Sequence, residues 1–374
     1  MRINVMQPWL GEEEVAAVAE VLRSGWVAQG PRVAAFEGAF ATAMAAEHAV
    51  ATSSCTSALH LALVVAGIGR GQDVVVPSFS FIATANAPTY VGARPVFADV
   101  DPVTGNLTAE TVRAVLTPAT AAVIAVDQGG VPVDLQAIRD VCDPLGIVVI
   151  EDAACGAGST YRGRPVGAGA EIAAWSFHPR KILTTGEGGM LTTSRAEWAA
   201  LARRLREHAM SVSAAERHGS VLAPPEEYGE VGFNYRMTDL QAAVGLVQLG
   251  RLPEAVARRR ELAAVYAKAI DEIDGLRAVT DPPWGTGNFQ SFWVEVDGSY
   301  PLDREALMAA LAAAGISARR GIMAAHRQPP YRSSAIDLPV TERLTDTTLI
   351  LPLFHELSES EQARVIDVLR EVRR

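Results

Sequence analysis

Lysine occurs only twice among the 33 basic residues of this 374-residue chain, at Lys181 and Lys268. Arginine can replace lysine as a surface charge but not as an amine nucleophile. Lys268 lies on the charged face of a helical stretch, Glu261–Ile273, where a solvated side chain is the ordinary reading. Lys181 closes Ser176-Phe177-His178-Pro179-Arg180-Lys181 and is followed by Thr184-Thr185-Gly186-Glu187-Gly188-Gly189. It stands between a strand and a glycine-rich turn, where backbone can crowd a bound ligand. Lys181 is the candidate functional amine.

Three other groups fit around it. Asp152 follows the apolar run Ile147-Val148-Val149-Ile150. A carboxylate at the carboxyl end of a buried parallel strand faces the crevice where α/β sheets bind ligands, although capping the next helix is an equal use of Asp. Strand alternation turns Glu151 to the other face. Thr52-Ser53-Ser54-Cys55-Thr56-Ser57 marks a strand-to-helix junction. Its free amides, hydroxyls and helix dipole suit a phosphate, though Ser and Thr are also the default N-caps. Pro77-Ser78-Phe79-Ser80-Phe81 places aromatics past another strand end, for stacking on a flat ring or for core packing. An amine for a Schiff base, a carboxylate for a ring nitrogen, a phosphate cup and a ring cover together match pyridoxal phosphate better than any nucleotide. No G-x-G-x-x-G follows the first strand, and no P-loop or H-E-x-x-H motif is present. The seven histidines show no zinc spacing, so no metal site is expected.

The elements that must position these residues alternate along the chain. Helices are expected over Glu12–Leu22, Arg32–Ala45, Ala58–Ala66, Phe79–Tyr90, Leu135–Cys142 and Ala196–Ala209. Strands are expected at His48–Ala51, Asp73–Pro77, Pro95–Val100, Ala121–Val126, Ile147–Ile150, Ile172–Ser176 and Met190–Thr193. Unbroken apolar strands separated by helices predict an α/β fold with a mostly parallel sheet covered on both faces. Ser211–Gly229 reads as a long surface loop of the length that is often functional. An amphipathic run from Thr238 towards Ile273 then leads to a smaller α+β module with strand Ser291–Val296 and helices Arg304–Ala314 and Ser360–Val372. The expected division is a large α/β domain over residues 1–250, and a connecting helix with a small C-terminal domain over 251–374.

Composition excludes several classes. Hydrophobic residues make up 49% and charged residues 20%, too apolar for a disordered chain. A net charge of −10 argues against a nucleic-acid partner. No apolar run reaches the ~18 residues of a membrane helix, and Met1-Arg2-Ile3-Asn4-Val5 does not read as a signal peptide. Three cysteines, an odd number at no metal-ligand spacing, point to a reducing cytoplasm.

At this point the chain resembles the DegT/DnrJ/EryC1/StrS family of pyridoxal-phosphate enzymes, chiefly nucleotide-sugar aminotransferases of fold type I. The resemblance spans nearly the whole chain. It is carried by Ser24-Gly25-Trp26 with Gly30-Pro31 and Phe36-Glu37, by Cys55 to Leu59, by Phe97-Ala98-Asp99-Val100-Asp101, by Glu151-Asp152-Ala153-Ala154, by Ser176 to Gly189 and by Asn234 to Ala243. It implies that Lys181 links to the cofactor's aldehyde and that Asp152 partners its ring nitrogen. Thr56, Ser57 and Ser176 would hold the phosphate, and Phe81 would cover the ring. Asn234 would reach the phosphate of a second subunit, making the enzyme a homodimer with shared sites. Arg319, His326 and Tyr331 would form the substrate side. The implied reaction runs through pyridoxamine phosphate, from Glu or Gln as amino donor to a keto-sugar acceptor. Cys155 stands where relatives carry Gln or His beside the ring hydroxyl, and Val126-Asp127-Gln128-Gly129-Gly130 replaces a Val-His-Leu-Tyr-Gly pattern. The second of these differences, with the Ser211–Gly229 loop, leaves a ketone, aldehyde or cyclitol without a nucleotide as an alternative acceptor. A sugar dehydratase of the same fold would have histidine in place of Lys181. A non-enzymatic binding protein would have no use for the Lys181–Asp152 pair.

Overall fold

The apolar runs become strands because each has two sides to bury. In the computed structural model, which describes residues 2–212, 225–332 and 336–371, the strands are β1 (His48–Thr52), β2 (Asp73–Pro77), β3 (Arg94–Ala98), β4 (Thr120–Val126) and β5 (Val148–Asp152). Two-residue β6 (Thr160–Tyr161) and β7 (Arg164–Pro165) precede β8 (Ile172–Ser176) and β9 (Gly189–Thr193). Seven of these form one sheet in the order β1-β9-β8-β5-β4-β2-β3, and only β9 runs antiparallel to its neighbours. This is the α/β, mostly parallel architecture that the strand pattern predicts.

Alternation sends Val75, Val123, Ala125, Val149, Ala173 and Trp175 to one face, against Phe36, Phe40 and Ile138. Val50, Val74, Val76, Ile124, Ile150 and Ile172 go to the other, against Leu59, Leu61 and Leu63. Each fully buried Val, Leu, Ile or Phe among these contributes about 1.5–3 kcal/mol. The helix Pro31–Ala43 is held at its start by Asp239, whose carboxylate accepts from the Gly30 and Val33 N–H groups at 2.9 Å and from Arg32 N–H at 3.1 Å. Asp239 itself opens a 33-residue helix, Asp239–Asp271, capped by Thr238 and Gln241 in a reciprocal box. Gly245 lets this helix press on Pro31–Ala43, since a Cβ there would stand 2.7 Å from the Phe36 ring.

A second sheet follows, built from β10 (Leu276–Ala278), β12 (Phe292–Val296), β13 (Arg319–Arg320) and β14 (Thr348–Leu351) in the antiparallel order β10-β12-β14-β13. Strand β11 (Gly285–Thr286) pairs with β6, tying the C-terminal part to the loop after β5. The second sheet packs Phe292, Val294, Leu349 and Leu351 against Leu262 and Tyr266 of the long helix. Residue 250 falls inside that helix, and Ile3 packs in this C-terminal core with a bridge to Ile316.

Several boundaries differ for visible reasons. The helix expected from Phe79 starts at Ile82, because Phe81 is its N-cap and Phe79 is buried in the core. The helix expected to reach Ala209 stops at Leu205, where the chain turns to pair Glu207 with Asn234, and His208 and Ala209 take positive φ. Helix Pro339–Thr347 and strand β14 lack a clear sequence period and were not expected. Residues 213–224 of the expected Ser211–Gly229 loop lie outside the described residues. Among the described residues no helix is long and apolar enough to cross a membrane.

Candidate active site

The sheet register brings three sequence segments to one edge. Thr52 at the end of β1 pairs with Gly189, and Gly189 pairs with Ser176 at the end of β8. Gly189 has no room for a side chain, since a Cβ would overlap the Ser54–Cys55 backbone. The helix Cys55–Val65 therefore starts directly above this edge. Ser54 caps it by accepting from Ser57 N–H at 3.1 Å, and the Ser53 and Ser54 hydroxyls each lie 3.0 Å from the Ser57 hydroxyl. Among the described residues the Cys55 and Thr56 N–H groups have no acceptor. Two free amides at a helix start, next to Thr56 and Ser57 and across the paired strands from Ser176, make a cradle suited to an anion. The Tyr235 carbonyl accepts from Ser53 N–H at 2.8 Å, and Asn234 next to Tyr235 is exposed.

Beside the cradle, β5 delivers Asp152, 3% exposed. Its Oδ2 accepts from Thr84 Oγ1 at 2.9 Å and its Oδ1 from Ala154 N–H at 3.2 Å. Burial raises its pKa, while Thr84, Ala154 and the positive charge of Lys181 work in the opposite direction. Lys181 lies in the turn between β8 and β9, with its N–H on the His178 carbonyl at 2.8 Å. The turn closes through Thr184 Oγ1 on the Phe177 carbonyl and Phe177 N–H on the Gly188 carbonyl, both at 2.9 Å. Gly186 at φ +85° supplies the left-handed corner. Lys181 Nζ donates to Cys155 Sγ at 3.0 Å. Burial disfavours charge on this amine, but Cys155, Cys55 and Asp152 hold it, with the net shift upward. Burial, then the charge of Asp152, pushes the Cys55 thiol well above its usual range. Phe81 is 65% exposed at the N-cap of helix Ile82–Tyr90, and its carbonyl accepts from Thr84 N–H at 3.1 Å. One helical turn thus sets Phe81 at the mouth and Thr84 on Asp152.

The expected substrate residues divide. Arg319 in β13 is exposed as a residue, and partial burial of its guanidinium, then the charge of Arg180, lowers its pKa. Neither arginine pairs with a carboxylate among the described residues. His326, by contrast, is only 4% exposed and both ring nitrogens are taken, Nδ1 by Ser78 Oγ at 2.6 Å and Nε2 by Glu342 at 3.1 Å. It joins the end of β2 to helix Pro339–Thr347 rather than opening to a ligand. Tyr331 hydrogen-bonds Asn86 at 2.5 Å and packs edge-on to Phe97 of β3. That strand is three places from β5, on the order of 14 Å away at ~4.8 Å per strand. In this chain Tyr331 does not meet Lys181.

Asp127 and Gln128 are also withdrawn. Asp127 is fully buried and accepts from Val133 N–H at 2.9 Å, and the Gln128 amide donates to the Phe79 carbonyl. The residues that sequence reasoning missed are Thr84, Arg180, Asn288 and Gln290. Thr84 is 68 residues from Asp152, and no local pattern could pair them.

A sequence profile described as the DegT/DnrJ/EryC1/StrS aminotransferase family matches residues 8–370. The chain belongs to this family. It is similar to the aminotransferase TlmJ from Streptoalloteichus hindustanus, with 40% identity over 99% of this chain and 98% of that one, at TM-score 0.91. It is similar to DesI, solved in the presence of its TDP-sugar product, with 32% identity over 99% and 92% at TM-score 0.89. A Streptococcus pneumoniae protein solved in its PLP form shares 25% identity over 100% and 98% at TM-score 0.92, and the same protein is also known in a PMP form. The fold is that of the fold type I aminotransferases, and the enzyme is a pyridoxal-phosphate-dependent aminotransferase. The cradle, Asp152 and Lys181 fit that cofactor, because free amides, a strand-end carboxylate and an amine stand together at one sheet edge.

Proposed function

We propose that this aminotransferase moves an amino group from glutamate or glutamine to a keto-sugar carried on a nucleotide. The observation that carries the acceptor class is the pair Arg180 and Arg319, two guanidiniums at the Lys181 turn that have no carboxylate partner among the described residues. Such a pair suits a diphosphate or the donor's carboxylate. The full-length likeness to DesI, solved with a TDP-sugar product, supports the same class.

Bound pyridoxal phosphate supplies a carbonyl that takes the amino group and a ring that accepts the electron pair left when a carbon-bound proton departs. The chain's residues do the rest. Lys181 anchors the cofactor and, once free, carries the proton at Nζ as base and then acid. Asp152, oriented by Thr84, holds a proton on the ring nitrogen. The Cys55 and Thr56 amides and the Thr56, Ser57 and Ser176 hydroxyls bind the phosphate, Phe81 covers the ring, and Cys155 steadies the Lys181 amine. Arg319 binds substrate anions, whereas His326 and Tyr331 support the surrounding frame.

Asn234 completes the phosphate site of a second subunit in a homodimer. Val231 and Tyr228, 86% and 57% exposed in the same segment, support a covering partner. The free state of Cys55, Cys142 and Cys155 supports a cytoplasmic setting. The test is to load the enzyme as its pyridoxamine form with glutamate or glutamine and to follow re-oxidation against nucleotide-linked keto-sugars, free keto-sugars and cyclitols. Fast re-oxidation by the nucleotide-linked compounds alone is expected. Equal rates with free ketones or cyclitols would remove the nucleotide from the proposal.

A further inference from the structure

Asn288-Phe289-Gln290, just before β12, reaches from the C-terminal sheet into the two turns that carry Lys181 and Cys155. Gln290 grips the main chain on both sides of Lys181. Its Oε1 accepts from Ile182 N–H at 2.7 Å and its Nε2 donates to the Arg180 carbonyl at 2.6 Å. Asn288 is fully buried, and its Nδ2 donates to the carbonyls of Cys155 and Ala157, both at 2.7 Å. The two amides are locked together, since Asn288 Oδ1 accepts from Gln290 N–H at 2.7 Å.

This short turn needs Phe289 at φ +50°, a conformation uncommon outside glycine. The surroundings hold it there: buried Arg259 donates to the Phe289 carbonyl at 2.9 Å, and Asn288 N–H donates to Ser159 Oγ at 3.0 Å. Ser159 Oγ in turn donates to the Gly130 carbonyl at 2.7 Å. A backbone outlier over-determined by its neighbours next to a reacting group is where positioning devices are found.

We propose that Gln290 is the positioning residue for Lys181, and that Asn288 fixes the Cys155 turn to the same frame. A lysine that leaves the cofactor and returns to move a proton swings on four rotatable bonds. Its reach is reproducible only if the peptides at both ends of its Cα are fixed. The amide of Gln290 satisfies one donor and one acceptor there, and no aliphatic side chain can do both. Misplacement of a reacting group by ~1 Å costs on the order of 100-fold.

The test uses Gln290→Ala and Gln290→Glu in the full enzyme. Gln290→Ala should lower kcat about 100-fold while KM changes less than about threefold. Cofactor-free protein labelled with carbon-13 at the lysine ε-carbon gives one signal from each of the two lysines. The Lys181 signal and its pH titration should shift in Gln290→Ala, with the Lys268 signal unmoved. Gln290→Glu keeps the acceptor for Ile182 but loses the donor to Arg180 until its carboxyl is protonated. Its kcat relative to wild type should therefore recover as pH falls. If Gln290→Ala retains wild-type kcat per active site and an unshifted Lys181 signal, or if Gln290→Glu shows a flat relative pH profile, Gln290 is only a packing residue and the proposal fails.

Discussion

Asp152 and Glu151 are adjacent on β5 and equally buried, at 3% and 1% exposure, yet they serve opposite faces. Both Asp152 oxygens have donors, Thr84 and Ala154, and an amine stands nearby. Glu151 faces the opposite layer, and among the described residues one of its oxygens and Asp127 Oδ2 have no partner. Burial and then the charge of Glu151 push Asp127 well above the usual carboxylate range. Burial lifts Glu151 to about 7 against a hydrogen bond from Gly167 N–H. Burial raises all three carboxyls, but at the strand end two hydrogen-bond donors and the Lys181 charge oppose the rise, whereas Asp127 and Glu151 on the other face have weaker opposition.

The comparison breaks first at the amine. Lys181→Ala should abolish transamination, a loss of about 10⁴-fold or more, while Lys268→Ala, at an exposed helix position, should keep wild-type kcat. Equal losses in the two variants would mean that the strand-end site is not the reacting one. Asp152→Asn should come next, with kcat down about 10²–10³-fold in steady-state assays, as expected when a preorganised electrostatic partner is removed. Glu151→Gln should leave kcat within about threefold, and a loss as large as that of Asp152→Asn would erase the distinction between the faces. Arg319→Ala should raise KM for an anionic acceptor about tenfold with little change in kcat, consistent with loss of one charged hydrogen bond.

The smallest effect is on stability. A carboxyl whose folded pKa lies above its unfolded value binds its proton more tightly when folded. Its stabilisation is full below about pH 4.5 and is lost as pH rises towards 7, the value reached by Glu151. Glu151→Gln, which cannot ionise, should flatten that decline and gain roughly 2–3 kcal/mol near pH 7.5 in denaturant titrations, at 1.36 kcal/mol per pKa unit. A pH–stability curve parallel to that of wild type would show that the pair is already satisfied.

Sequence patterns reached the strand-end chemistry because each part is local: an apolar run ends at Asp152, a serine-rich cap follows β1, and a scarce lysine precedes a glycine turn. They also reached a mostly parallel large sheet, from apolar strands separated by helices. They did not reach Thr84, Asn288 or Gln290, whose partners lie 68, 133 and 108 residues away. Nothing in the spacing of such residues records a tertiary hydrogen bond. The surroundings of His326 and Tyr331 were out of reach for the same reason. Their polar atoms find buried partners, Ser78, Glu342 and Asn86, that a pattern of residue types does not reveal. Two-residue strands such as β6, β7 and β11 are too short to show any alternation.

The central claim is that one amine, Lys181, grips the cofactor. The direct measurement is borohydride reduction of enzyme loaded with pyridoxal phosphate, followed by mass-spectrometric mapping of the modified peptide. The account predicts a single phosphopyridoxyl group on Lys181 with Lys268 unmodified. Label on Lys268, or no stable label at all, would contradict it.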